Sequence, residues 1–256
     1  MRKVFISLAC VSMLSPAWAG RYTNKADPDY FELTDANDLV PDFPFSVAGW
    51  FYPFTASSNG RVWYWGNSNS TGHYYAVGFA GDAAGDPLQV VARGASGDQI
   101  ANTTAPYTAG EWNHFTATFE AEDSRRIWLN DANTAQSTDA VIYYADVNCI
   151  AIGGMRDASP GLYAWGFHSH YGVWDKILDA NDRSLLYSSR YAPSLVSDAN
   201  LVAHWALDED SPGSDAVDSN SGDFTLTAVS NPGLAGEPGG IITSLAKILQ
   251  NLIISN

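Results

Sequence analysis

Two aromatic stretches carry the residue types that hold sugars. Trp63-Tyr64-Trp65-Gly66-Asn67-Ser68-Asn69 and His73-Tyr74-Tyr75 combine indole and phenol rings with amides. Rings offer a broad surface to the apolar CH faces of a sugar, and amides hydrogen-bond its hydroxyls. In an extended strand Trp63 and Trp65 share one face and Tyr64 takes the other. One face must be core, so at least one ring is expected to face out as a platform. Trp63, Trp65, Asn67, Asn69 and Tyr74 are therefore candidate ligand contacts, and Tyr163 and Trp165 extend the set. An apolar face packed into the core would use the same residue types.

His168 and His170 stand two residues apart, which predicts both imidazoles on one strand face. Such a pair can meet a transition metal or a hydrogen-bonding ligand. No third ligand is evident, and a polar outward face beside Phe167, Tyr171 and Val173 is the alternative. The loop Asp215-Ala216-Val217-Asp218-Ser219-Asn220-Ser221-Gly222-Asp223 is the densest run of oxygen donors. Asp215, Asp218 and Asp223 are the candidate calcium ligands, with Asp82, Asp86, Asp208 and Asp210 in other loops. The spacing is not that of an EF-hand, and Asp, Asn and Gly also build turns. Cys149 lies in the apolar stretch Val147-Asn148-Cys149-Ile150-Ala151-Ile152 and is expected to be a small buried residue rather than a nucleophile.

Short strands must position these groups. Apolar and polar residues alternate at 30–33, 45–52, 61–65, 74–79, 88–93, 99–101, 112–119, 126–130, 149–152, 162–174 and 201–207, with Gly, Asn, Asp or Pro between. Residues 224–227 form a further candidate. Strands about ten residues apart with turn signals between them predict an all-β, two-sheet antiparallel jelly-roll sandwich. Helical periodicity appears only at 175–187, with Asp179 as the N-cap, and in an amphipathic tail at 241–256. Residues 231–240 read as a linker from their Gly and Pro content.

Residues 1–19 have the form of a secretory signal peptide: Arg2 and Lys3, an apolar run, then Ala17-Trp18-Ala19. The run is too short to span a bilayer. Cys10 after Ser7-Leu8-Ala9 faintly resembles a lipoprotein cleavage site. Loss of the leader takes the formal net charge from −15 to −17. So acidic a surface repels phosphate backbones and anionic membranes, which excludes nucleic acid as an expected partner. Without the leader, Cys149 is left without a disulfide partner, and a chain of this length builds its core without one.

Four blocks in order carry a family likeness. They are Phe45-Ser46-Val47-Ala48-Gly49-Trp50-Phe51-Tyr52-Pro53, the Trp112-Asn113-His114-Phe115 to Trp128-Leu129-Asn130-Asp131 hairpin, Ile150 through Leu178, and Leu201-Val202-Ala203-His204-Trp205-Ala206-Leu207-Asp208. Over 20–230 the chain resembles the laminin-G-like jelly rolls of the concanavalin A-like superfamily. Independently of the likeness, Trp50, Trp112, Trp128 and Trp205 each lie in an apolar strand and are expected to fill the space between the sheets.

The resemblance implies recognition of glycans or proteins, with calcium at one sheet edge in some members. Where the family often has an acidic pair, this chain reads Phe167-His168-Ser169-His170-Tyr171, so carboxylate ligands are missing there. Hydrolases on this scaffold use an E-x-D-x-E strand that aims its acids at one cleft. No such pattern occurs here. Glu120-Ala121-Glu122-Asp123 sits in a hairpin turn, and Asp208-Glu209-Asp210 leads into a Ser-Pro-Gly turn. The expectation is a secreted, non-enzymatic recognition module for polysaccharide or glycoconjugate, outside the cell, in the periplasm or at the cell surface. A structural or adhesive surface protein contacting extracellular proteins, and a divergent glycan hydrolase or lyase, are the alternatives.

Overall fold

The computed structural model describes residues 20–234 other than 27, 38, 40–41, 57–58, 142–145, 190–192, 194–195, 197–198, 210 and 231. The leader at 1–19 and the tail at 241–256 lie outside the described residues. The strands are β1 (Arg21–Thr23), β2 (Tyr30–Leu33), β3 (Phe45–Pro53), β4 (Asn59–Gly66), β5 (Tyr74–Ala80), β6 (Pro87–Gly94), β7 (Gly97–Pro106) and β8 (Asn113–Ala121). They continue with β9 (Ser124–Leu129), β10 (Asn133–Ser137), β11 (Cys149–Ile152) and β12 (Gly166–Trp174). The helix α1 (Ala180–Ser189) follows, then β13 (Leu201–Trp205), β14 (Thr227–Val229) and β15 (Gly233–Leu234).

These strands form two antiparallel sheets. The first runs β10-β9-β8-β3-β12-β1-β15, with β13 beside β12, and the second runs β14-β2-β11-β4-β5-β6-β7. The expected jelly-roll sandwich is the observed fold. Within 231–240, Gly233–Leu234 is not linker but pairs with β1 as an edge strand. Backbone amides there gain ladder partners, which a linker reading from composition does not anticipate.

Alternation explains the core. Phe45, Val47 and Phe51 on β3, Phe115, Ala117 and Phe119 on β8, and Tyr75, Val77 and Phe79 on β5 turn inward into one buried cluster. Trp63, Trp65 and Trp205 join them. Phe45 lies at the centre, stacked on Phe119 at 4.6 Å and edge-on to Trp65 at 5.1 Å. Trp50 and Trp128 do not fill the space between the sheets as expected. Their neighbours Phe51 and Ile127 point inward, so period two turns both rings out. Trp50 stacks on Tyr187 of α1 and Trp128 lies under the Arg183 guanidinium at 3.9 Å. Trp112 precedes β8 and joins outer-face rings instead.

The helix begins where its cap predicts. The Asp179 carboxylate accepts from the amides of Asn181 and Asp182, and the Asp182 carboxylate in turn accepts from the Asp179 amide. Hydrogen bonds from the Asp182 and Asn181 amides hold Asp179 below its ordinary pKa. Leu186 anchors α1 in a small cluster with Ala48, Trp174, Leu178, Val196 and Leu201.

Register shifts interrupt several ladders, and two of them bear on the candidate residues. In β4 the register against β5 shifts between Arg61 and Trp63, so Val62 is the extra residue. In β12 the register against β3 shifts between Ser169 and Gly172, with His170 at φ 51°. A bulge reverses the face of every residue on its far side, and both reversals alter the candidate site.

Candidate functional site

The bulge at Val62 decides where Arg61 goes. Uninterrupted alternation would put Arg61 on the face of Trp63 and Trp65, inside the core. Instead Val62 joins Trp63 inward, and Arg61 lies on the outer face opposite Gly78, its guanidinium 6.0 Å from the Tyr74 ring. Gly78 makes the room: a Cβ there would stand 2.3 Å from the Gly60 carbonyl and 2.8 Å from Arg61 Nη1. The segment before β12 folds over the same face. Leu162, at φ 47°, accepts a hydrogen bond from the Arg61 amide at 2.7 Å through its carbonyl, and the Tyr163 ring packs on Tyr30.

A groove of about 420 Å³ results, lined among others by Asn59, Asp82, Gln89, Ile100 and Asn102, with Arg61, Asp98 and Leu162 shared with its neighbour. That neighbour, about 170 Å³, adds Thr71, Gly72, Tyr74, Arg93, Met155 and Asp157. The lining thus combines amides, carboxylates and guanidinium groups with the exposed side chains of Ile100 and Leu162. Such a mixture can hydrogen-bond several hydroxyls and cover an apolar ring face. Several groups are already fixed. Asp98 accepts from Tyr74 at 3.0 Å and pairs with Arg93 at 3.3 Å, while the Asn59 amide donates to Asp82. Burial raises the Tyr74 hydroxyl pKa, with Arg61 opposing the rise.

The sequence candidates divide sharply. Trp63 and Trp65 are each only 1 % exposed and belong to the core, so neither is a platform. Their ring faces pack on Phe45 because β4 is an interior strand covered by the opposite sheet. Tyr74 is buried but lines the smaller cavity. Asn67 is buried in the β4–β5 turn, donating to Asp146 at 2.7 Å, and its own Oδ1 accepts from the Asn69 amide. Asn69 is exposed at that turn.

His168 and His170 do not share a face. His168 is fully enclosed on the inner side, between Thr23 Oγ1 and the Tyr171 hydroxyl, both at 2.9 Å. Thr23 donates its hydroxyl hydrogen to the Ala164 carbonyl, so it accepts from His168 Nε2. Burial pushes the His168 pKa down to about 3. His170, turned outward by the bulge, stacks on His204 at 5.8 Å. Burial lowers both, His204 to about 4, with its neighbour His170 adding to the fall.

The loop acids are largely taken up by their own loop. Among the described residues no group of three or more His, Cys, Asp or Glu side chains is placed to hold a metal. Asp218 is buried and its oxygens accept from the amides of His204, Asn220 and Ser221 and from the Ser221 hydroxyl. Burial pushes this carboxyl up, but those hydrogen bonds outweigh it and hold the pKa low. Asp215 accepts from the Ala228 amide. Turn building accounts for both. Cys149 is buried, its thiol pushed up to about 12 by burial.

A second surface lies on the outer face of the first sheet. Tyr22, Tyr52, Phe54, Trp112, Trp165 and Phe167 form a continuous patch of partly exposed rings, with Trp165 the most open at 37 %. The Trp165 indole donates to the Tyr22 hydroxyl at 3.1 Å. Trp165 is thus the most open of the candidate rings, while Tyr163 is half-buried.

Sequence reasoning missed Arg61, Gln89, Ile100 and Asn102. The alternation of Asp98, Ile100 and Asn102 around the inward Ala101 was a readable signal for β7. No comparable signal existed for Arg61, because the bulge is invisible in the residue pattern.

Comparison with known proteins agrees with this architecture. The chain is similar to a Bacteroides ovatus protein ascribed to carbohydrate binding, at 18 % identity and TM-score 0.57, covering 83 % of this chain and 58 % of that one. The chain therefore spans less than two thirds of that relative's length. It is also similar to the CBM40 of the Ruminococcus gnavus IT-sialidase, solved with α2,3-sialyllactose, at 9 % identity and TM-score 0.54, covering 66 % of this chain and 96 % of that one. Domain 4 of a Geobacillus stearothermophilus arabinanase, solved with arabinotriose, matches at 15 % identity and TM-score 0.51, covering 66 % and 76 %. No curated protein matches in sequence. Among the described residues no helix is long and apolar enough to cross a membrane. The family model of the concanavalin A-like lectin/glucanases superfamily matches residues 25–182, and with the two-sheet jelly roll in place the chain belongs to that superfamily, in its laminin-G-like branch.

Proposed function

We propose that this protein is a secreted, non-catalytic module that binds polysaccharide or glycoconjugate in the groove over β4–β7. The observation that carries this reading is the lining: Gln89, Asn102, Asn59 and Asp98 offer hydrogen bonds around the apolar Ile100 and Leu162. Sugar ligands need that alternation of polar and apolar contacts, and a preformed sheet holds it without ordering cost. The solved relatives named for carbohydrate binding support the same class. Asp98 is tied to Arg93 and Tyr74, an arrangement suited to holding a hydroxyl rather than delivering a proton. The test is a glycan array followed by calorimetry on hits. Binding by the native protein that Asn102→Ala and Gln89→Ala each weaken supports the groove. Binding to no glycan overturns it.

One observation favours a second reading, contact with extracellular proteins. The aromatic patch around Trp165 and Phe54 is large and partly exposed, as interaction faces are. Trp165→Ala separates the two: lost glycan binding moves the ligand to this face, and lost protein association with intact glycan binding supports the adhesive role.

A further inference from the structure

We infer that the sugar carries a carboxylate, and that this carboxylate seats on the guanidinium of Arg61. The inference rests on the groove being a glycan site, and names the ligand chemistry of that site. Arg61 is 5 % exposed yet lines both cavities. Its Nε has no hydrogen-bond partner, and no carboxylate among the described residues lies within ion-pair distance. Of the other buried arginines, Arg21 pairs with Glu209 at 3.3 Å. Among the described residues Arg125 also lacks an ion-pair carboxylate and a partner for Nε, but it lines neither cavity and donates through Nη2 to Ser137 Oγ and the Asp139 carbonyl.

Burying a guanidinium without a counter-charge is costly, and arginine cannot escape the cost by losing its proton. The fold nevertheless builds this position. A bulge turns Arg61 outward, and Gly78 leaves space for Nη1. The nearby acids do not supply the missing charge. Asp98 is held by Arg93 and Tyr74, Asp82 by Asn59, and Asp157 by the Ser159 amide. Arg93 is a second cation at the rim of the smaller cavity. A planar carboxylate fits a guanidinium through two parallel hydrogen bonds, whereas a hydroxyl supplies no charge. The net charge of −15 does not forbid this, because salt screens distant charges beyond about 8 Å at physiological ionic strength.

The test uses matched pairs of probes on the native protein: oligogalacturonate and its methyl ester, oligoalginate and its ester, 3′-sialyllactose and lactose. Neutral xylan, arabinan and glucan oligosaccharides complete the panel. Calorimetry gives each affinity. The expected result is at least one acid bound about tenfold or more tighter than its neutral partner. Arg61→Gln abolishes that preference and Arg61→Lys retains only part of it, with thermal melting confirming that each variant folds. The comparison of acid with ester on the unaltered protein stands even if Arg61→Gln does not fold. Neutral sugars bound as well as or better than acids overturn the carboxylate inference and leave the groove reading intact. Acid binding unchanged in both Arg61 variants places the anion elsewhere and also overturns it. No binding by any probe overturns both.

Discussion

Gln89 and Asn102 reach the groove from neighbouring strands whose inward residues, Val90 and Ala101, hold them in place. Their substitution by alanine removes hydrogen bonds without disturbing the core. Each is expected to weaken glycan affinity by about tenfold, one charge-neutral hydrogen bond's worth. Asn102→Ala should leave the melting temperature unchanged, while Gln89→Ala lowers it slightly because the buried Gln89 amide also donates to the Phe79 carbonyl. Trp63 behaves in the opposite way. Trp63→Ala opens a cavity against Phe45 and Phe119 and should cost about 3–5 kcal/mol in chemical denaturation. A variant that stays stable but loses ligand would return Trp63 to the binding surface. Asp218 is likewise structural: Asp218→Ala leaves the buried His204 amide without its partner, at a cost of about 1–3 kcal/mol.

At the scale of elements, the bulge in β4 and the segment before β12 act together. The Val62 carbonyl accepts from the Gly153 amide, and the Leu162 carbonyl accepts from the Arg61 amide. The extra residue therefore serves two ends, turning Arg61 out and fastening the cover that rims the groove. Leu162 holds a left-handed φ of 47°, which glycine adopts without strain. Leu162→Gly should relieve that strain while removing an apolar wall from both cavities, so affinity falls and stability changes by less than about 1 kcal/mol. Calorimetric titration beside thermal melting checks the two separately. The two bulges and the fold of 153–165 were not legible in the sequence, since nothing in Arg61-Val62-Trp63 marks a break in alternation. The strands themselves were legible: β8 alternates cleanly, and β3, β5 and β9 are short runs rich in aromatic and aliphatic residues bounded by turn residues. The cap of α1 was legible too, because Asp179 precedes a helical run and its carboxylate has amides to accept from.

For the whole molecule, buried histidines set the acid limit of stability. Burial holds His114 and His168 near pKa 3 and His204 near 4, against an ordinary 6.5. The unfolded chain takes up these protons below pH 6.5 and the native state does not. Stability is therefore full above pH 6.5 and declines as pH falls towards 4, by up to about 4 kcal/mol per pH unit if all three contribute. Melting curves from pH 7 to 4 measure this, and a flat profile would show that the rings titrate in the native fold. The hydrogen bonds to Asp218 act in the same direction at lower pH, since its folded pKa is lowered and its contribution is lost as the carboxyl protonates.

The residue order by itself determined the fold class, most strand positions and the superfamily likeness. Those follow from local period-two patterning and turn residues, which the chain carries whatever its partners. It also determined that Cys149 would be buried and that Asp179 would start the helix. Which face each aromatic or basic residue took was decided only in the tertiary structure. Trp63 and Trp65 became core because the opposite sheet covers that side of β4. His168 and His170 parted because a single extra residue in β12 reversed the alternation. Arg61 reached the groove for the same reason in β4. A bulge arises where two strands must pair and twist together, so its position depends on the partner strand and is not encoded in the alternation of either one.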